Sequence, residues 1–180
     1  HSYEVMNQHV SFLFTSLLTD DCIARGKALL DGGVRYLGGT NETYGNINTS
    51  DSLWVIRDLV FNQKKYTLRQ LNDAMLANFN GYEALRKDCL NCDKYGNDLE
   101  TADTMANDLY EFVAKGVRNR GIAIGMQYFL IVISNNQLNT EWGNRTAASP
   151  DGRLSCMYMN PANNPQGGAN KSGPTAMLNS

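Results

Sequence analysis

An α/β architecture, mainly helical with a few strands, is what this sequence predicts, and three observations predict it. Apolar residues recur at helical spacing through much of the chain, as at Leu99, Ala102, Ala106, Leu109 and Val113. Residues 122 to 134 alternate instead and are apolar on both faces, as in a strand that helices cover on both sides. A buried helix fits that run too, because periodicity alone does not separate the two. Third, glycines crowd residues 31 to 45, immediately before a polar segment that opens a helix. Glycine is used where the backbone takes positive φ or passes close to another group.

The totals narrow the class. A chain of 180 residues, 42% hydrophobic and 19% charged, is long enough for one domain with its own core and is not of disordered type. It reads as a single segment, residues 1 to 180, with no linker or internal repeat. The net charge is −2, from 16 basic and 18 acidic residues, without the basic run that a nucleic-acid partner needs. Ile122 to Ile133, the longest apolar run, is interrupted by Gly125 and Gln127 and is too short to span a bilayer. No signal-peptide pattern opens the chain, and His1-Ser2 reads as a scar of cloning. A cytoplasmic location is expected. The four sequons, at Asn41, Asn48, Asn144 and Asn170, therefore carry little weight.

Taken in order, residues 5 to 30 read as a helix through Val10, Phe14, Leu17 and Leu18, with Thr19-Asp20-Asp21 as a break or cap. The glycine-rich stretch follows. It lacks both G-x-x-x-x-G-K-[ST] and G-x-G-x-x-G, so a tight loop is expected there and not a phosphate cradle. Asn48-Thr49-Ser50-Asp51 supplies capping oxygens for a helix from Asp51, with Leu53, Ile56 and Val60 as its buried stripe and Trp54 and Phe61 widening it. Thr67-Leu68-Arg69-Gln70 fits a capping box, opening a helix that carries Leu68, Leu71, Met75, Leu76 and Phe79 on one face. Asn80-Gly81 ends it, and residues 82 to 91 form another short helix.

Cys89-Leu90-Asn91-Cys92 would put two thiols one turn apart. A redox pair or half a zinc site are the functional readings. With no second pair and no nearby His, two ordinary reduced thiols are expected instead. Tyr95-Gly96-Asn97-Asp98 is a turn before a helix that should end near Gly116. The tail from Asn135 to Asn170 is polar and loop-like, with Ser149-Pro150-Asp151-Gly152-Arg153 a turn by composition. Gly173-Pro174-Thr175-Ala176-Met177-Leu178 reads as a closing strand. His9 has no evident relay partner and is expected to be a structural residue.

Several of these segments together resemble one family. Asp31-Gly32-Gly33-Val34-Arg35-Tyr36, Ser50-Asp51-Ser52-Leu53, Leu59-Val60-Phe61, Ala77 through Glu83, Lys94 through Asp98, Ser149 through Arg153 and Gly173-Pro174-Thr175-Ala176 are similar, in order and spacing, to stretches of the glycyl radical enzymes, the family of pyruvate formate-lyase. The resemblance runs over residues 11 to 180. It implies an interior part of a ten-stranded α/β barrel, to which this chain would give a few strands and the helices outside them. It also implies a parent that makes or breaks a C–C, C–O or C–N bond in a small polar metabolite, as a formate acetyltransferase-like lyase or a dehydratase in an anaerobic cytoplasm. Its partners would be a small-molecule substrate, an S-adenosylmethionine-dependent activating enzyme that installs the glycyl radical, and further copies in a homo-oligomer.

Neither the radical glycine in an Arg-Val-x-Gly-type motif nor the thiyl cysteine loop is found here. Gly121 follows Arg118-Asn119-Arg120, and Cys156 follows the Pro-Asp-Gly-Arg turn. No catalytic residue, metal ligand or cofactor is therefore expected in this chain, and it should be inert alone. Asp93 stands where the family often has Pro, Asn170 where Asp is common, and Cys156 to Met159 is more apolar than usual. The ending is similar to those of the dehydratase-like and formate-lyase-like lineages. In enzymes the ending resembles, that stretch borders the substrate cavity, so Thr175 and Met177 are the candidate substrate contacts, on one face of the expected strand. Packing in the barrel core is the other reading of the pair. A non-catalytic structural or interaction protein is the rival for the chain as a whole.

Overall fold

The computed structural model describes residues 1–10, 12–133 and 137–180. It divides into two units, one of His1–Asn41 with Lys115–Ile131 and one of Glu42–Ala114 with Val132–Ser180.

The first unit opens with α1 (Ser2–His9), α2 (Leu13–Leu18) and α3 (Cys22–Arg25), where a helix over residues 5 to 30 was expected. The break at residues 19 to 21 falls where the sequence placed a break or cap, and a further one precedes Leu13. Backbone conformation is the reason. Phe12 (φ 43°), Asp21 (φ 73°) and Gly26 (φ 62°) are all left-handed, and a right-handed helix does not run through such residues. Phe14, Leu17 and Leu18 of the expected stripe stay exposed. Gly33 explains part of the glycine density, since a Cβ there would sit 2.3 Å from the Lys27 carbonyl oxygen. The glycine stretch is not all loop: β1 (Gly38–Thr43) lies within it and pairs with a strand from much later in the chain. A Cβ on Gly38 would meet the Tyr128 ring at 2.4 Å, so glycine lets that ring lie against the backbone.

In the second unit α4 (Asn46–Val55) begins five residues before the expected start and continues as a π-helical stretch over Ile56–Asn62. Val55 and Leu59 are the fully buried pair, Ile56 and Val60 of the expected stripe pack against the core half-buried, and Leu53 and Phe61 are exposed. The stripe is thus right at two positions and its centre lies one residue off. Helix α5 (Leu68–Leu76) starts as its capping box requires. The Gln70 N–H donates to Thr67 Oγ1 at 3.1 Å and the Thr67 N–H to Gln70 Oε1 at 2.8 Å. Thr67→Ala should therefore lower stability by about 0.5–2 kcal/mol in a urea melt. An unchanged midpoint would show that the cap contributes nothing. Of the expected face Leu71 and Phe79 are buried and Met75 packs against them, whereas Leu68 and Leu76 are exposed and Ala74 joins the core instead.

Helix α6 (Glu83–Asn91) is as expected, whereas α7 (Glu100–Ala123) runs past Gly116. The expected strand from Ile122 is thereby cut to β2 (Tyr128–Ile133), the partner of β1. Its forecast end at Ser134 and the loop start at Asn135 lie outside the described residues. Helix α8 (Leu138–Asn144) interrupts the tail that was read as loop. The closing segment is α9 (Gly173–Asn179), a helix and not a strand. Pro174 in its first turn has its φ pre-set for a helix, and Ala176, Met177 and Leu178 are good helix formers. The core of this unit gathers Val55, Leu59, Leu71, Ala74, Phe79, Leu85, Cys89 and Ala148. Among the described residues no helix is long and apolar enough to cross a membrane.

Candidate functional site

The most elaborate polar structure in the second unit joins α4 to the turn at 149–153 and the loop after it. Asn48, Asp51 and Ser52 stand three and four positions apart and so share one face of α4. All three are buried, inside the helix and not at its cap. Asn48 and Asn160 exchange two bonds, the Asn48 N–H donating to Asn160 Oδ1 at 3.1 Å and the Asn160 N–H to Asn48 Oδ1 at 2.7 Å. The Asn48 amide nitrogen also donates to Asp151 Oδ2 at 2.7 Å and to Gln166 Oε1 at 3.0 Å. The Asp151 N–H donates to Ser52 Oγ at 3.2 Å. The partners are polar and, apart from Gln166, buried, which makes the network specific in shape.

Turn chemistry holds the other side. The Gly152 N–H donates to the Ser149 carbonyl and the Ser149 N–H to the Arg153 carbonyl, both at 3.0 Å, and Gly152 sits at φ 93°. Asp151 Oδ1 accepts from the Ser149 hydroxyl at 2.6 Å. Arg153 is buried and spreads its guanidinium over the carbonyls of Ala147, Leu154 and Met157 and the Ser149 hydroxyl. Burial pushes its pKa down. Lys94, also buried, donates from Nζ to the carbonyls of Cys89 at 2.6 Å and Cys92 at 3.4 Å, a cation closing the C-terminus of α6.

Asp51 is the exception to full pairing. Its Oδ1 accepts from the Tyr95 N–H at 3.0 Å, but buried Oδ2 has no partner among the described residues. Burial pushes its pKa up to about 7; the Tyr95 bond and Lys94 oppose that shift, while Asp151 and Asp103 reinforce it. Asp51 lines a cavity of about 340 Å³ together with Arg86, Lys94, Asp151, Arg153 and Lys171. Arg86 is fixed there by an Nε bond to the Gly152 carbonyl at 2.9 Å.

The residues singled out by sequence lie elsewhere. Thr175 is exposed and Met177 half-buried on α9. Two positions apart on a helix is a rotation of about 200°, so they do not share a face, and neither is among the residues lining the cavity. Cys89 and Cys92 are free thiols, with burial pushing them up to about 12 and about 11. Both are thus protonated near neutrality and poor nucleophiles. Among the described residues no three His, Cys, Asp or Glu side chains gather as a metal site. The network residues Asn48, Asp51, Lys94 and Arg153 were not singled out as a site. Their signal was available only in part: charged and amide side chains flanking glycine turns at 94–98 and 149–153.

Residues 1–138 match the family described as Pyruvate formate lyase-like. Trans-4-hydroxy-L-proline dehydratase of Clostridioides difficile is 32% identical over 174 residues, 96% of this chain and 22% of that protein. Isethionate sulfite-lyase of Bilophila wadsworthia is 32% identical over 175 residues, 95% of this chain and 20% of that protein. The glycerol-bound B12-independent glycerol dehydratase from Clostridium butyricum superposes with a TM-score of 0.91 at 29% identity, over 98% of this chain and 22% of its own. The chain spans about a fifth of the length of the relatives it matches. It has the fold of the corresponding part of the glycyl radical enzyme barrel, and it belongs to the pyruvate formate lyase-like family of glycyl radical enzymes.

Proposed function

We propose that this chain serves a glycyl radical dehydratase or lyase acting on a small polar metabolite, and that its own part is to build wall and scaffold and not to carry the radical. The observation that supports the reading is the company it keeps: two dehydratases and a sulfite-lyase match nearly all of it. Formate acetyltransferase activity, the other form of the family, has less support from those relatives. In the whole protein the radical glycine and thiyl cysteine would come from other segments, with an S-adenosylmethionine-dependent activating enzyme as partner, in an anaerobic cytoplasm and as a homo-oligomer. The buried network fits a scaffold, since its one raised carboxyl is closed off from solvent. A purely structural protein is the rival.

Incubated anaerobically with an activating enzyme and S-adenosylmethionine, the 180-residue chain should give no glycyl doublet by electron paramagnetic resonance. A doublet would overturn the division of labour. Thr175 and Met177 remain proposed substrate contacts of the whole protein on the strength of the resemblance alone. Met177→Ala in the full-length enzyme separates contact from packing. A contact shifts KM or substrate preference with little loss of stability, whereas a core role costs about 2–5 kcal/mol of folding stability.

A further inference from the structure

Asn80 is followed by glycine, and no other asparagine of the sequence is. The pair lies between α5 and α6, with both residues exposed. Phe79 through Tyr82 form a tight turn, closed by the Tyr82 N–H donating to the Phe79 carbonyl at 3.0 Å. Gly81, at φ 79°, takes the third place of that turn, where positive φ favours glycine. The peptide joining Asn80 to Gly81 thus spans the tip, and its N–H stands outside the closing bond. It donates instead to Glu83 Oε1 at 2.9 Å. That bond holds the Glu83 carboxyl below the usual range, so the side chain is a carboxylate at neutral pH. Apart from its chain neighbours, no described residue comes within 4 Å of a Cβ built on Gly81. Neighbouring Asn78 is placed differently, because its Oδ1 accepts from the Ser155 N–H at 2.8 Å. Asp151-Gly152 has a similar sequence, but there Asp151 is buried, both its oxygens are bonded, and the Gly152 N–H is held by the Ser149 carbonyl.

We propose that Asn80 is a site of spontaneous modification, at which the Gly81 nitrogen closes on Asn80 Cγ with Glu83 as the base. The Gly81 N–H gives its proton to the Glu83 carboxylate as the N–Cγ bond forms. The Cγ–Nδ2 bond then breaks, Nδ2 taking that proton and leaving as ammonia. A succinimide ring remains. Water adds to either of its carbonyls and opens it, leaving aspartate or isoaspartate at position 80. Glycine permits the closure because no side chain shields its nitrogen and its backbone angles are free to follow. Either product puts a new carboxylate near Glu83. Isoaspartate also lengthens the backbone by a methylene, inside the turn that Phe79 and Tyr82 close. Phe79 belongs to the buried core, so the lengthening falls next to packed structure. The site stands whether or not the whole protein runs radical chemistry.

The test is ageing of the 180-residue chain for days at mildly alkaline pH, followed by peptide mass spectrometry for amide nitrogen replaced by oxygen. Asn80 should react at least about tenfold faster than Asn78, a ratio that about 1.4 kcal/mol of barrier sets. Glu83→Gln is an exposed substitution, and Gln can still accept the Gly81 N–H, so the turn is kept. It should slow the loss at Asn80 about tenfold or more, since a positioned base contributes at least that. In urea, where the turn is gone, the two proteins should react alike. Equal loss at Asn78 and Asn80 overturns the proposal. A folded-state rate at Asn80 about tenfold below the rate in urea overturns it too, because the turn would then lock the amide instead of presenting it. An Asn80 rate unchanged or raised in folded Glu83→Gln removes the base and sinks the proposal as well.

Discussion

Asp51→Asn should stabilise the chain by about 4 kcal/mol near pH 8 and by little near pH 4, a difference set by the distance between two pKa values. In the folded chain burial raises the carboxyl from 3.8 to about 7. The folded state therefore holds a proton that the unfolded state has released at any pH between those values. Stability from this group is complete below about pH 4 and drains away as pH rises through about 7. At roughly 1.4 kcal/mol per unit, three units give the figure stated. Asn has the same shape, and its oxygen can still accept the Tyr95 N–H, but it never ionises. Urea melts of both proteins across that range provide the check. Parallel stability curves, with no gap opening above neutrality, would mean that Asp51 is paired or hydrated in solution.

What was legible in the sequence follows how local each signal is. Thr67 and Gln70 form their capping box because both partners lie within four residues, and the 149–153 turn forms because Pro150 and Gly152 fix its dihedrals on the spot. Errors arose where a distant partner decides. Asn48, Ser50 and Asp51 have the composition of a cap, yet they lie inside α4, where Asn160 and Asp151 pair with Asn48 and Tyr95 with one oxygen of Asp51, all from later in the chain. Val55 and not Leu53 reaches the core from α4, a choice set by where its packing partners lie and not by spacing alone. Gly173 through Leu178 looked like a strand by resemblance and apolar content, while Pro174 near a helix start was the better local guide.

The family could be recognised from ordered motifs, because Asp31–Tyr36, Lys94–Asp98 and Ser149–Arg153 are turns whose residue choice is dictated by backbone geometry. The candidate site could not be. Asp51 has an orphaned oxygen because Tyr95 takes one oxygen and no described residue reaches the other. Arg86 and Lys171, 85 positions apart in the numbering, share one cavity lining only after folding. Composition could say that the chain is mildly acidic, but not that cations outnumber acids among the charged residues lining its cavity.

Arg153→Gln should cost about 3–5 kcal/mol and loosen the whole 149–153 turn. The guanidinium is 4% exposed and serves four acceptors at once: Ser149 Oγ at 3.2 Å from Nε, Leu154 and Met157 carbonyls at 3.2 and 2.8 Å from one Nη, and the Ala147 carbonyl from the other. Glutamine reaches at most one or two of them. Each buried carbonyl left without a donor costs about 1–3 kcal/mol, so even partial relaxation leaves a large net loss. Arg153→Lys separates shape from charge, because an ammonium restores the charge but not the planar fork. It should recover less than half of the lost stability. Amide exchange at Gly152, whose N–H is bonded to the Ser149 carbonyl, should quicken in both variants and most in Arg153→Gln. Full recovery by lysine would show that charge near Asp151, not the fork, holds the turn, and a loss under about 1 kcal/mol would show that water replaces the guanidinium at these carbonyls.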